Sequence, residues 1–179
     1  MRRGTLAVAT AALLLSSAAL AQSTAEKTGI NSALGVSPST ADFVTEAANS
    51  DMLEIAAAKI AQDKGNAEEK KFAETMITDH TKTTSELKNL VSSGEVKAEL
   101  PTKMDSAHER KLDKLRDTSA GNFHREYDPM QVSAHKDAVS LFERYAKSGD
   151  NPKLKDWAGK TLPTLQHHLE MAEALEKSD

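Results

Sequence analysis

The sequence has no cysteine, one tryptophan and an aromatic content of only 4%. The absence of cysteine excludes disulfides, thiolate metal sites and lipidation at a signal-peptide cleavage site. A Gly-x-Ser-x-Gly elbow and a glycine-rich phosphate loop are also missing, so nothing favours nucleophilic catalysis. Basic runs are absent, and 23 Lys and Arg against 27 Asp and Glu give a net charge of −4. This balance argues against nucleic acid as a partner, because phosphate binding requires clustered cations.

The first residues have the pattern of a secretory signal. Arg2 and Arg3 precede an apolar run from Leu6 to Leu20, and Ala21 completes a small-x-small cleavage motif. We predict a signal peptide over residues 1–21. Because the run is shorter than the roughly 20 residues of a membrane span, we expect no transmembrane span after cleavage. The remaining chain, with a net charge of −6, would be periplasmic or otherwise exported, with outer-membrane association as an alternative.

The rest of the chain divides into a short tether and one helical domain. Residues 22–38 are small and polar without an apolar period, which predicts a flexible tether. Cap residues, glycine stops and apolar periodicity dominate residues 39–179. We predict helices over Ser39 to Lys64, Asn66 to Ser92, Lys103 to Thr118, Asn122 to Ser148 and Asn151 to Lys177. Asp128-Pro129 is an alternative start for the fourth of these helices, and Pro163 predicts a kink in the last.

Helical-wheel positions, at about 100° per residue, identify one inward polar residue on each long helix. Glu54 lies in the apolar arc of the first helix that contains Phe43 and Ala57. The other three inward residues are His80, His135 and His168, each on the apolar face of its own helix. All four have metal-ligand side chains, and no similar convergence occurs elsewhere in the chain.

Distances along the helices test whether these residues can meet. His80 and His135 lie at similar distances from the starts of their helices, so they reach one level only if those helices run parallel. The segment from Ser93 to Gly121, with its short helix, is long enough to cross the bundle and allow this arrangement. His168 is offset from His135 by about one turn. Glu54 matches this level less well. It lies several ångströms closer to the Gly65 turn, measured along its helix, than His80 does.

The order of motifs resembles an exported family called domain of unknown function 4142 (DUF4142). The resemblance is carried by Phe43 to Glu54, Phe72 to His80, Phe123 with Tyr127, Met130 to His135, and Leu162 to Leu169. It implies an all-α, ferritin-like four-helix bundle with a long crossover that carries a short extra helix. It implies no established activity.

From the residues, we hypothesise a site for one transition-metal ion, namely iron, zinc, copper or manganese, formed by Glu54, His80, His135 and His168. Asp79 or Gln131 would hold these ligands in place through hydrogen bonds, or would serve as an extra ligand. Classical ferroxidase activity is not expected, because no Glu-x-x-His pair occurs in the chain, and whether the protein is an enzyme stays open. The alternative is a non-catalytic envelope or stress-related protein that binds an envelope protein partner. Its buried polar residues would then only fix helix register.

Overall fold

The computed structural model describes residues 24–178, which form helices and contain no strand. This confirms the all-α prediction, while the predicted signal peptide over residues 1–21 lies outside the described residues. The helices are α1 (Thr24–Lys27), α2 (Ile30–Ala33), α3 (Thr40–Lys64), α4 (Ala67–Ser92), α5 (Ser106–Asp117), α6 (His124–Ser148) and α7 (Pro152–Ser178), with a 3₁₀ turn at Ala120–Asn122. No described helix combines the length and the apolarity needed to cross a bilayer.

Side-chain caps explain where the long helices begin. Ser39 Oγ accepts a hydrogen bond from the backbone N–H of Asp42, which starts α3 as predicted. Asn66 and Glu69 form a reciprocal capping box at the start of α4. Asn151 Oδ1 accepts from the N–H of Leu154, directly before the proline that opens α7.

Two helix starts differ from the sequence prediction. The crossover helix α5 begins at Ser106 rather than near Lys103, because the Asp105 carboxylate accepts hydrogen bonds from the N–H groups of Ala107 and His108. Helix α6 begins at His124 and continues through Pro129. The Asp128-Pro129 pair therefore does not start this helix.

The four long helices pack as two hairpins, α3 with α4 and α6 with α7. The buried apolar side chains form two clusters. One cluster contains Phe72, from the start of α4, together with Tyr127, from the start of α6. The other contains Leu87 and Tyr145, from the ends of the same two helices. Helices α4 and α6 therefore run parallel, as the depth argument required.

The crossover between these parallel helices is attached to the end of α3. Lys64 Nζ donates hydrogen bonds to the carbonyl oxygens of Leu115, Arg116 and Thr118 at the end of α5. A cation at a helix C-terminus satisfies carbonyls that have no intrahelical partner and interacts favourably with the helix dipole. This contact holds α5 against the Gly65 end of the bundle.

The segment predicted as a flexible tether contains two short helices in its described part. Glu26 Oε1 lies 2.8 Å from Arg144 Nη2 in a buried ion pair between this segment and α6. Arg144 also donates to the carbonyl oxygen of Val36 at 2.7 Å. Ile30 and Leu34, however, are 52% and 72% exposed.

Candidate metal centre

Three histidines from three helices meet between the two apolar clusters. His80 on α4, His135 on α6 and His168 on α7 are each at most 2% exposed. Their ring centroids lie 5.4 to 5.8 Å apart. One potential ligand atom of each ring lies within 4.8 Å of the corresponding atoms of the other two. Among the described residues, this is the group of His, Asp and Glu side chains with that geometry.

Each histidine uses its other ring nitrogen in a hydrogen bond. His80 Nδ1 lies 2.8 Å from Asp51 Oδ1, and His135 Nδ1 lies 2.9 Å from the Gln131 carbonyl oxygen. His168 Nε2 lies 2.9 Å from Asp79 Oδ2. Because carboxylates and carbonyls accept, these nitrogens donate. The opposite nitrogens, His80 Nε2, His135 Nε2 and His168 Nδ1, have no hydrogen-bond partner.

This arrangement fixes the tautomer of each ring in the way metal sites do. A ligating histidine usually donates its second N–H to a carboxylate or a carbonyl, which orients the ring and increases its basicity. In its neutral form each ring carries its lone pair on the nitrogen without a partner, and the three rings lie against one another. Three buried lone pairs without a donor are difficult to explain as packing alone, since buried polar atoms normally have partners.

Asp51 is the functional residue that the sequence analysis missed. Asp51 is 6% exposed, and its carboxylate accepts a hydrogen bond from His80. The Thr83 hydroxyl lies 2.9 Å from both carboxylate oxygens. Thr84 Oγ1 donates to Oδ2 at 3.0 Å. The distance from the Gly65 turn is the sequence signal that identifies Asp51. Asp51 lies 14 residues before Gly65 and His80 lies 15 residues after it, so the two side chains reach the same level of the hairpin. Glu54 is one turn too close to Gly65 to occupy that level.

Electrostatics differ among the three rings. Burial opposes protonation of His80 most strongly, yet the Asp51 hydrogen bond and the charges of Asp51, Glu54 and Asp79 raise its pKa above 6.5. Burial lowers the pKa of His135, although Glu54 opposes this shift. Burial, together with the charges of His80 and His135, lowers the pKa of His168 to about 4 despite its bond to Asp79. At most one ring is therefore readily protonated near neutral pH.

The remaining predicted site residues lie around the three histidines. Glu54 is 1% exposed and both of its carboxylate oxygens lack a hydrogen-bond partner, but it is outside the group of atoms within 4.8 Å. Gln131 contributes its backbone carbonyl to His135, while its side-chain amide has no partner. Asp79 bonds His168 and is 34% exposed, so it is the member of the site nearest to solvent.

The donor set matches a borderline transition metal. Imidazole nitrogens suit zinc, copper, iron and nickel, whereas magnesium and calcium require oxygen-rich sites. Loading such a metal would displace a proton from Nε2 of a protonated His80, since ligands bind in their deprotonated form, while the Nδ1 proton would stay in the hydrogen bond to Asp51.

Fold and site together define an all-helical protein with a buried three-histidine cluster between two apolar cores. A model of the family described as domain of unknown function (DUF4142) matches residues 25–175. The chain therefore belongs to the DUF4142 family, which confirms the resemblance. Comparisons with curated proteins and with solved structures gave no match.

Proposed function

We propose that this is an exported, ferritin-like helical-bundle protein that binds one transition-metal ion through His80, His135 and His168. Iron, zinc, copper and manganese are the candidate ions, and Glu54 supplies negative charge beside them. The proposal treats residues 1–21 as a signal peptide and places the mature domain in the periplasm. Parallel α4 and α6, joined by a crossover that carries α5, support a ferritin-like topology.

The observation that carries the proposal is the set of three unpartnered ring nitrogens. They lie on three helices, and the three rings each offer one nitrogen within 4.8 Å of a nitrogen of the other two. The other nitrogen of each ring donates to a protein acceptor. A single metal ion would satisfy all three lone pairs at once. Because one water molecule has only two hydrogens to donate, water could satisfy the three nitrogens only if more than one molecule fitted between the rings.

The test is metal analysis of the mature protein purified without a histidine tag, followed by thermal melts with each of the four metals. Binding to the native state alone adds about 2.7 kcal/mol when free metal is a hundredfold above Kd. For a domain of this size that corresponds to about 5–10 °C in Tm. We expect one of the four metals to produce a shift of this order.

His80→Ala and His168→Ala should abolish the shift because each removes a ligand. His167→Ala is the matched control, since His167 is adjacent to His168 but its side chain is 67% exposed. It should retain the full shift. A wild-type protein that contains no metal and gains no stability from any of the four would contradict the proposal.

A second function is favoured by a different observation. Ile30, Leu34 and Val36 are exposed apolar residues in the N-terminal segment, and exposed apolar groups of this kind can bind a partner protein. In this alternative the chain binds an envelope protein and its histidines only fix helix register. Crosslinking in whole cells distinguishes the two functions. Leu34→Asp should abolish a specific crosslinked species under the alternative and leave metal binding unchanged under the first proposal.

A further inference from the structure

Three histidines leave the coordination shell of a metal incomplete. Protein sites for zinc and similar ions have at least four donors, and sites with three protein ligands keep an open position for water or substrate. No carboxylate joins the three ring nitrogens within 4.8 Å among the described residues. The fourth donor must therefore come from outside this group.

Glu54 lies beside the cluster and has no other evident role. It lies about one helical turn from Asp51, which contacts His80, and so lies near the histidines. Its charge contributes to the raised pKa of His80 and opposes the lowering of the His135 pKa. The residue is 1% exposed, and neither oxygen accepts a hydrogen bond. Buried polar atoms normally have hydrogen-bond partners, and the described protein groups supply none for these two oxygens.

Two more polar side chains without partners lie on the same side of the cluster. Tyr127, Gln131 and His135 occupy successive turns on one face of α6, each about 6 Å from the next along the axis. The Tyr127 hydroxyl and the Gln131 amide lack hydrogen-bond partners although both residues are fully buried. Burial raises the pKa of Tyr127 well above 10, and Glu54 contributes to this shift. Leu53 and Ala57, on either side of Glu54 in α3, belong to the same apolar cluster as Tyr127, which places Glu54 on the Tyr127 side of the histidines.

These groups have the chemistry of a small pocket for water. A buried water makes two to four hydrogen bonds to polar groups that otherwise lack partners. The Glu54 carboxyl oxygens and the side-chain oxygen Oε1 of Gln131 are acceptors for which the described residues supply no donor. A water polarised by a metal ion is a strong donor and would be directed at the nearest carboxylate.

We propose that the fourth coordination position holds an exchangeable water, and that Glu54 accepts a hydrogen bond from this water instead of binding the metal. Gln131 and Tyr127 form the far wall of the pocket. The proposal rests on metal binding by the three histidines. The fourth position would then also accept a small oxygen-donor or anionic ligand in place of water. Glu54 would position this ligand, and its charge would weaken the binding of anions.

The test uses the mature protein loaded with cobalt(II) as a spectroscopic probe. The EPR spectrum is recorded in ordinary water and in water enriched in oxygen-17, which broadens the signal only when water binds the metal directly. Azide, a small anion, is then titrated while the visible spectrum is followed. Both measurements are repeated on Glu54→Gln, which has nearly the same shape but no charge. Glu74→Gln, an exposed position on α4, is the control.

We expect oxygen-17 broadening in the wild type and in both variants. Glu54→Gln should still bind one cobalt(II) per chain, with about tenfold weaker affinity because a neighbouring group of opposite charge is lost. Azide should bind this variant about tenfold more tightly than the wild type or Glu74→Gln, since a like charge near the fourth position is removed.

Three results would overturn the inference. Broadening absent from the wild type, or present only in Glu54→Gln, would show that Glu54 itself is the fourth ligand. Equal azide affinities in the wild type and Glu54→Gln would show that Glu54 does not face that position. If the wild type takes up no cobalt(II), iron, zinc, copper or manganese, metal binding by the three histidines is refuted together with this inference.

Discussion

At the scale of single residues, Asp51 is the side chain of the cluster for which we expect substitution to be least tolerated. One carboxylate accepts from His80 and from two threonine hydroxyls, Thr83 and Thr84. We predict that Asp51→Asn lowers the free energy of unfolding by about 1–3 kcal/mol, because its amide places a donor where acceptors are needed. Urea denaturation of the metal-free protein measures this loss.

The same variant should weaken metal binding about 10- to 100-fold, since the group that orients a histidine ligand is changed. A competition titration with a chromophoric chelator measures the affinity. Asp63→Asn, at an exposed position of the same helix, is the control and should change neither quantity. If stability falls while metal affinity stays constant, Asp51 has only a structural role.

The helical wheel identified His80, His135 and His168 from sequence because angular position is set by residue spacing alone. It selected Glu54 by angle and did not consider Asp51, which lies at the axial depth of His80. The ring nitrogens left free by hydrogen bonds to Asp51, Gln131 and Asp79 could not be predicted, since they depend on side-chain rotamers and on the approach of neighbouring helices.

At the scale of helices, the caps Ser39, Asn66 and Asn151 made three of the starts predictable. The predicted start of α5 at Lys103 was three residues too early, because Asp105 provides the cap and the helix begins at Ser106. The contact that anchors α5 is tertiary, between the end of α3 and three carbonyls of another helix. Local sequence carries no signal for such a contact.

That anchor gives a second prediction. Lys64→Met should lower the free energy of unfolding by about 1–2 kcal/mol, because three carbonyl groups at the end of α5 lose a charged donor. The crossover around α5 should also be cleaved faster by protease under native conditions, as locally weakened segments open more often. Lys59→Met, an exposed lysine on the same helix, is the control. Unchanged cleavage in the Lys64 variant would show that the apolar contacts of Leu112 and Leu115 hold α5 alone.

At the scale of the whole molecule, the bundle has two apolar cores with a polar layer between them. The apolar cores follow from binary patterning, which the sequence displays. The polar layer interrupts this pattern on each of the four long helices, at two positions on α3 (Asp51 and Glu54), and such local violations are expected at functional sites. Without a bound metal, the layer should be the part of the molecule that responds most to pH.

His168 determines the sign of that response. Burial and the charges of His80 and His135 lower its pKa to about 4 in the folded protein, against an ordinary histidine value of 6.5. Between these values the unfolded chain binds a proton that the folded chain does not, so stability falls as pH decreases from 6.5 towards 4. His135 acts in the same direction. His80, with a raised pKa, acts in the opposite direction, and its contribution is lost as pH rises.

We therefore predict that the metal-free wild type loses on the order of 2 kcal/mol more stability than His168→Asn between pH 7 and pH 5. Urea midpoints at the two pH values measure the difference, and carboxylates elsewhere cancel because both proteins contain them. His167→Asn should behave as the wild type, since that side chain is largely exposed. Equal pH dependence in the wild type and His168→Asn would mean that His168 takes up its proton in the folded state as readily as in the unfolded chain. Asp79 would then have to compensate fully for burial, and the lone pair directed towards the other two rings would be lost at moderately acidic pH.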